Sequence, residues 1–282
     1  KLVLSLLKSI SIILKFKPDV VIGTGGFASG PLLIIAGLLK IPTLIQEQNS
    51  YPGITNKLLS KTVKTIAVAY QGLERFFPKE KLNLTGNPIR KSITEGKLSP
   101  TEAKVFFKQI PGIPTLVVLG GSLGAKRINQ LIATHLETFE KQGLQLIWQC
   151  GSLYYDQYKK HQSEKVKIMS FVAEIDKLYA AADMVISRSG AATLSELCCT
   201  ARPVLLVPSP NVSENHQYHN AMALANKGAA IVITEKDLDL DFPKYFKLLL
   251  NRKKRNEMSK NLKALAQPHA TAKIVDLIEG LL

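Results

Sequence analysis

Asp183-Met184-Val185-Ile186-Ser187-Arg188-Ser189-Gly190-Ala191-Ala192-Thr193-Leu194-Ser195-Glu196 reads as a short apolar strand, a turn of small residues and the first turns of a helix. Its strand is a compact apolar run bounded by turn residues, the pattern of a parallel strand in an α/β sheet. The helix begins near Ala191. Its first amide groups have no intrahelical partner and the macrodipole adds partial positive charge there, so a phosphate is favoured at the turn. Glu196 lies about one and a half helical turns further in. That is too deep for the phosphates but suited to accepting hydrogen bonds from a ribose diol. A Ser-Gly turn is also an ordinary way to start any helix, so this reading depends on the rest of the chain.

Two more glycine-rich turns follow β-like runs. Asp19-Val20-Val21-Ile22 leads into Gly23-Thr24-Gly25-Gly26-Phe27-Ala28-Ser29-Gly30-Pro31, and Thr115-Leu116-Val117-Val118-Leu119 leads into Gly120-Gly121-Ser122-Leu123-Gly124-Ala125. Glycine suits such turns because the backbone bends sharply and approaches a ligand closely, which a Cβ would block. Neither loop has dinucleotide-fingerprint spacing or the Gly-Lys-Ser/Thr of a P-loop. Three such turns at strand C-terminal ends, where open α/β sheets bind ligands, support one another.

At 282 residues the chain is long enough for two domains or one large one, and its net charge of +15 implies an anionic partner. Nucleic acid is disfavoured, because zinc-finger spacing, RNA-binding signatures and aromatics interleaved with basic residues are all missing. Anionic membrane surfaces and phosphorylated small molecules remain. The basic run Arg252-Lys253-Lys254-Arg255 reads as a solvated helix face. Cys150, Cys198 and Cys199 lie in apolar contexts and read as reduced, packed residues of a cytoplasmic protein, without metal-site spacing. His216 and His219 lack a third ligand. Asp237-Leu238-Asp239-Leu240-Asp241 contains the Asp-x-Asp pattern of metal-dependent glycosyltransferases, but its place before a basic helix reads as helix-start electrostatics. No metal and no cofactor is expected. Leu2 to Phe16 is apolar and helix-like but is interrupted by Lys8 and Lys15; it reads as a packed helix, with membrane-surface contact as an open alternative.

The punctuation divides the chain into two α/β units. The expected boundaries are 1–92 for a first Rossmann-like unit, 93–266 for a second unit, and 267–282 for a C-terminal helix packing back on the first. Single helices are expected over about 126–141 and 243–265. Because Lys1 is not methionine and a helix feeds directly into a sheet strand, residues upstream of Lys1 are expected.

Six motifs then make the reading specific: Gly25-Gly26-Phe27-Ala28-Ser29-Gly30-Pro31, Gln46-Glu47-Gln48-Asn49, Gly86-Asn87-Pro88-Ile89-Arg90, the Gly120 loop, Ser187 to Glu196, and His216-Gln217-Tyr218-His219-Asn220-Ala221. In this order, and from Lys17 onward, the chain resembles the MurG family. These bacterial enzymes transfer N-acetylglucosamine from UDP-GlcNAc to a lipid-linked N-acetylmuramyl-pentapeptide in peptidoglycan synthesis.

The resemblance implies a GT-B glycosyltransferase of two Rossmann-like domains, the first incomplete at its N-terminus, with the donor in a cleft between them. It implies that Ser122 contacts the diphosphate, that Ala191, Ala192, Thr193, Leu194, Ser195 and Glu196 hold phosphate and ribose, and that Gln217 reaches the sugar hydroxyls. It further places Val172 at the uracil, makes Asn49 and Arg90 donor contacts from the first unit and the hinge, and makes Gly25, Gly26, Ser29 and Gly30 part of the acceptor-side loop. Gln217 and Asn220 as solvent-facing residues, and Arg90 as a hinge ion pair, are the competing structural readings. The family's first glycine loop, with its proposed catalytic His, would lie upstream of Lys1. Gln46 stands where the family usually has His, and Leu123 where it often has Gln.

The implied reaction is an inverting displacement at the anomeric carbon, with Glu47 either an acid/base or acceptor-positioning group or a structural carboxylate. The implied partners are UDP-GlcNAc, the lipid-linked acceptor and anionic lipid at the cytoplasmic face of the plasma membrane, with peripheral attachment. A UDP-sugar:diacylglycerol glycosyltransferase, a UDP-GlcNAc 2-epimerase and a catalytically incomplete UDP-sugar-binding fragment are the alternatives.

Overall fold

A computed structural model describes residues 1–96 and 98–282. The chain divides into two compact units: Lys1–Ile89 with Gln267–Leu282, and Arg90–Ala266. Both are α/β units with wholly parallel sheets, the fold class expected from the alternation of apolar runs and amphipathic segments.

The first unit holds β1 (Val21–Gly23), β2 (Thr43–Glu47), β3 (Thr65–Val68) and β4 (Leu82–Leu84), side by side in that order. The second holds β5 (Thr115–Leu119), β6 (Gln145–Gln149), β7 (Val166–Met169), β8 (Met184–Ser187), β9 (Val204–Leu206) and β10 (Ile231–Val232), in the order β10-β9-β8-β5-β6-β7. Strand order reverses between β5 and β8, and the two run parallel with Leu119 opposite Ser187. Their C-terminal ends therefore release the Gly120 loop and the Ser187–Gly190 turn at one level, at the switch point where doubly wound sheets take their ligands. Every residue of β5, β6 and β8 is buried, as expected of strands covered by helices on both faces.

Residues from the two ends of the chain complete the first unit. Ile274 of the Ala270–Glu279 helix buries against Leu44 of β2 and Ala67 of β3. The unit boundary falls between Ile89 and Arg90, which puts Arg90 in the second unit, where the Lys91–Glu95 helix packs on the Ile175–Ala181 and Ala191–Thr200 helices.

Two long helices expected from sequence are broken. The 126–141 segment divides at His135 into Lys126–Thr134 and Leu136–Lys141. The basic stretch is preceded by a helix that begins at Leu238 rather than at Pro243, because burial of Leu238, Phe242, Phe246 and Leu249 outweighs the donor missing at exposed Pro243. It stops at Asn251, whose side chain accepts from the Lys254 amide at 3.0 Å and starts the Arg252–Leu265 helix. Arg252, Lys253 and Lys254 are exposed, and Arg255 caps the preceding helix through the Leu249 and Leu250 carbonyls.

The Gly120 loop is packed against the protein's own backbone. Gly124 and Gly151, both with positive φ, pack backbone to backbone: a Cβ on Gly151 would lie 2.1 Å from the Gly124 nitrogen. Gly121 has positive φ too, but a Cβ there would meet nothing within 4 Å. Close approach thus explains Gly124 and Gly151 through protein contacts, while the space beside Gly121 is open to a ligand. Gly151→Ala is expected to destabilise the second unit by about 3–5 kcal/mol from overlap plus the left-handed conformation. Gly121→Ala, carrying the conformational cost alone, is expected to lose about 1–2 kcal/mol. Denaturant melts of the two variants side by side check the difference.

Candidate functional site

The turn after β8 is held from beneath. Ser187 and Ser189 are fully buried, and the Ser189 hydroxyl donates to the Gln217 carbonyl at 2.8 Å. Arg188 also turns inward, donating to the Val207 carbonyl at 3.0 Å and pairing with Glu235. Gly190 then caps the Ala191–Thr200 helix with extended geometry and without a side-chain acceptor. Nothing but open space faces Gly190. Amides of the first helical turn are therefore unclaimed by any capping side chain, while the partial positive charge of the helix start is directed at the opening. Within this segment the roles divide: Leu194 is buried in the core and offers only its backbone, and the Ser195 hydroxyl bonds back to the Ala191 carbonyl at 3.0 Å.

Glu196 accepts a hydrogen bond from the Tyr179 hydroxyl at 3.0 Å. Burial raises its carboxyl above the ordinary carboxylate range, opposed by the Tyr179 bond and by the positive charge of Arg90. Tyr179 itself, 1% exposed, is pushed well above the usual phenol value by burial and by the neighbouring carboxylate. Arg90 is exposed and its charge acts on both groups, so the structure brings Arg90 into the electrostatic neighbourhood of Glu196. Tyr179 carried no signal in the sequence, because its partner lies on the next helix, beyond an intervening strand.

The remaining second-unit candidates surround the same sheet end. Ser122 is exposed in the Gly120 loop, and its carbonyl accepts from the Ser152 amide at 3.3 Å. Val172 is buried in the loop between β7 and the Ile175–Ala181 helix, beside exposed Phe171. Gln217 is half-buried, and its side-chain oxygen accepts from the Ser209 amide at 2.9 Å, which fixes the side chain against the loop after β9. Asn220 is fully buried, so the solvent-facing reading does not hold for it. In the Asp-x-Asp segment, Asp239 and Asp241 fall in the first turn of the Leu238–Leu250 helix and Asp239 pairs with Arg127 at 3.0 Å.

In the first unit, Glu47 is only 2% exposed, and its two oxygens accept from the amides of Asn49 and Gly53 and the side chains of Asn49 and Asn56. It clamps the loop between β2 and the Ile54–Leu59 helix, with Asn49 as one of the clamped residues. Gln46 is likewise buried and donates to Asn87 at 2.8 Å, while Asn87 donates to the Gln48 carbonyl. Gly25 and Gly26 adopt positive φ ahead of the Ser29–Leu38 helix, and the Ser29 hydroxyl contacts both of their carbonyls at 3.1 and 3.0 Å. Gly30 is buried in the first turn of that helix. Gln48 ties this loop to β2 through the Thr24 carbonyl.

Residues 115–277 match the glycosyltransferase family 28 C-terminal domain and residues 1–68 its N-terminal domain. The chain is 54% identical over 280 residues to a Flavobacterium psychrophilum protein named UDP-N-acetylglucosamine--N-acetylmuramyl-(pentapeptide) pyrophosphoryl-undecaprenol N-acetylglucosamine transferase, covering 99% of this chain and 76% of that protein. A Christiangramia forsetii protein of the same name is 51% identical, with 100% of this chain and 77% of the relative covered. Among solved structures, that of Acinetobacter baumannii MurG matches with a TM-score of 0.80 and 29% identity, over 98% of this chain and 77% of that one.

A pH dependence follows from Glu196. Because its folded-state value is raised, the protonated form favours the fold, and that contribution is lost as pH rises through the raised value. Glu196→Gln keeps an acceptor for Tyr179 and is expected to melt with wild type below about pH 4, the range where an ordinary Glu is protonated. At pH 7 it is expected to melt higher. Thermal melts of both proteins between these limits check the sign.

Proposed function

The chain belongs to glycosyltransferase family 28, and we propose that it transfers N-acetylglucosamine from UDP-GlcNAc to undecaprenyl-pyrophosphoryl-N-acetylmuramyl-pentapeptide, the step from lipid I to lipid II in peptidoglycan synthesis. The observation that carries the assignment of the donor site is the uncapped start of the Ala191–Thr200 helix, with Glu196 on the same helix. In this reading the diphosphate sits on the amides of Ala191, Ala192 and Thr193 and beside Ser122. The ribose diol donates to Glu196, with Arg90 nearby. The backbone at Val172 takes the uracil, and Gln217 faces the sugar hydroxyls. Asn49 is assigned a further donor contact, and the loop of Gly25, Gly26, Ser29 and Gly30 the acceptor pyrophosphate.

The reaction is an inverting substitution: the acceptor hydroxyl gives its proton to a general base or to water as its oxygen attacks the anomeric carbon, the bond to UDP breaks, and UDP departs with the bonding pair. The amide-rich helix start and glycine loop stabilise the charge that grows on the leaving diphosphate, because their dipoles are already oriented before the bond breaks. Glu47 is committed to four protein hydrogen bonds, so its part is to hold the 47–56 loop rather than to remove the proton.

Attachment to the membrane is assigned to the Leu2–Phe16 helix. Ser9 and Ile13 are buried and Leu6 and Ile10 pack beside the core, while Val3, Leu4, Leu7, Leu14 and Phe16 are exposed between Lys1, Lys8 and Lys15. Among the described residues no helix is long and apolar enough to cross a membrane. An apolar face flanked by lysines suits peripheral binding to anionic lipid at the cytoplasmic face.

Calorimetric titration is expected to show binding of UDP-GlcNAc in preference to UDP-glucose, with Glu196→Ala weakening it about 10- to 100-fold through the lost charged hydrogen bonds. An equal response to both sugars, or an indifferent Glu196→Ala, contradicts the donor assignment. Sedimentation with vesicles containing phosphatidylglycerol is expected to pull down the protein, and the Leu4→Ser/Phe16→Ser double variant is expected to stay in the supernatant.

A further inference from the structure

Two arginines stand beside the two phosphate turns, and neither points at the opening. Arg188 lies within the Ser187–Gly190 turn, and Arg127 is the second residue of the helix into which the Gly120 loop runs. Both reach the same segment, residues 234–239 after β10. Arg188 pairs with Glu235, each side chain being 18% exposed, and donates to the Val207 carbonyl. Arg127 contacts both carboxylate oxygens of Asp239, at 3.1 and 3.0 Å, and the Glu235 carbonyl at 3.4 Å.

We propose that residues 234–239 form a brace that fixes the two phosphate turns relative to each other, with Glu235 acting through Arg188 as a positioning residue for the donor diphosphate. This rests on the donor-site reading above. The Arg188–Glu235 pair is largely withdrawn from water, so loss of one partner leaves a charge without compensation next to the turn. The turn has few other side-chain anchors: Ser189 bonds to the Gln217 carbonyl, and the Ser187 hydroxyl bonds only to its neighbour Arg188. Arg127 holds the other turn to the same segment, which makes the brace common to both. Neither carboxylate is assigned contact with the donor; their effect is on where the amide dipoles point.

Affinities for UDP and for uridine separate positioning of the phosphate site from general support of the fold. Glu235→Ala is expected to weaken UDP about tenfold and to leave uridine unchanged. Glu235→Gln, which keeps an acceptor for Arg188, is expected to recover most of that loss, and Glu235→Asp, whose shorter side chain draws back from Arg188, is expected to weaken UDP several-fold and carries the test if the alanine variant does not fold. Equal weakening of UDP and uridine, or UDP binding as tight as wild type or tighter in the alanine and aspartate variants, overturns the brace while leaving the donor site in place. Absence of UDP binding by the wild-type protein overturns the donor-site reading and the brace with it.

Discussion

Parallel pairing of β5 with β8, with Leu119 opposite Ser187, is the constraint on which the second unit depends. Both strands end at the same level, and both release a tight turn into a helix. The amide dipoles of two separate segments are thereby brought to one end of one sheet. A shift of one residue in that register would turn each buried side chain of β8 to the opposite face and move Gly190 away from the Gly120 loop. The fully buried strands make such a shift prohibitive, so the alignment of the two turns is inherited from the core.

The two carboxylates singled out by the sequence show how environment divides labour. Glu47 is surrounded by donors from its own loop and is used up in shaping it. The Glu196 carboxylate accepts from the Tyr179 hydroxyl and sits in a setting whose desolvation disfavours its charge. A carboxylate kept short of donors is a costly element of a resting protein. Under the proposed donor reading the same residue is the acceptor for the ribose diol, so stability and recognition would pull in opposite directions there.

Much of this was legible in the residues. Apolar runs followed by glycine turns located β1, β5 and β8 and the helices after them, and β5 falls on the expected residues. Breaks were harder. Nothing local marks the interruption at His135, and the helix expected from 243 starts earlier because core burial of Leu238 and Phe242 extends it upstream. Charge partners were invisible for a different reason: Arg188–Glu235 spans 47 positions, and Lys104–Asp183 spans 79. Pattern reading identified Arg188 only as part of a turn. Its inward direction depends on β9 lying beside β8 and β10 beyond it, which is information about topology rather than about local sequence.

The first unit takes its last helix from beyond the second, and this bears on how the protein is made. Residues 90–266 form a contiguous stretch that can fold as it leaves the ribosome, whereas Leu44 and Ala67 await Ile274, synthesised about two hundred residues later. During that interval one face of the β2–β3 pair lacks its cover, and apolar strand surface is available to wrong partners. Translation of the Ala270–Glu279 helix is therefore also the event that shields the first sheet, so a nascent chain stalled inside the second unit would carry an uncovered β2–β3 face.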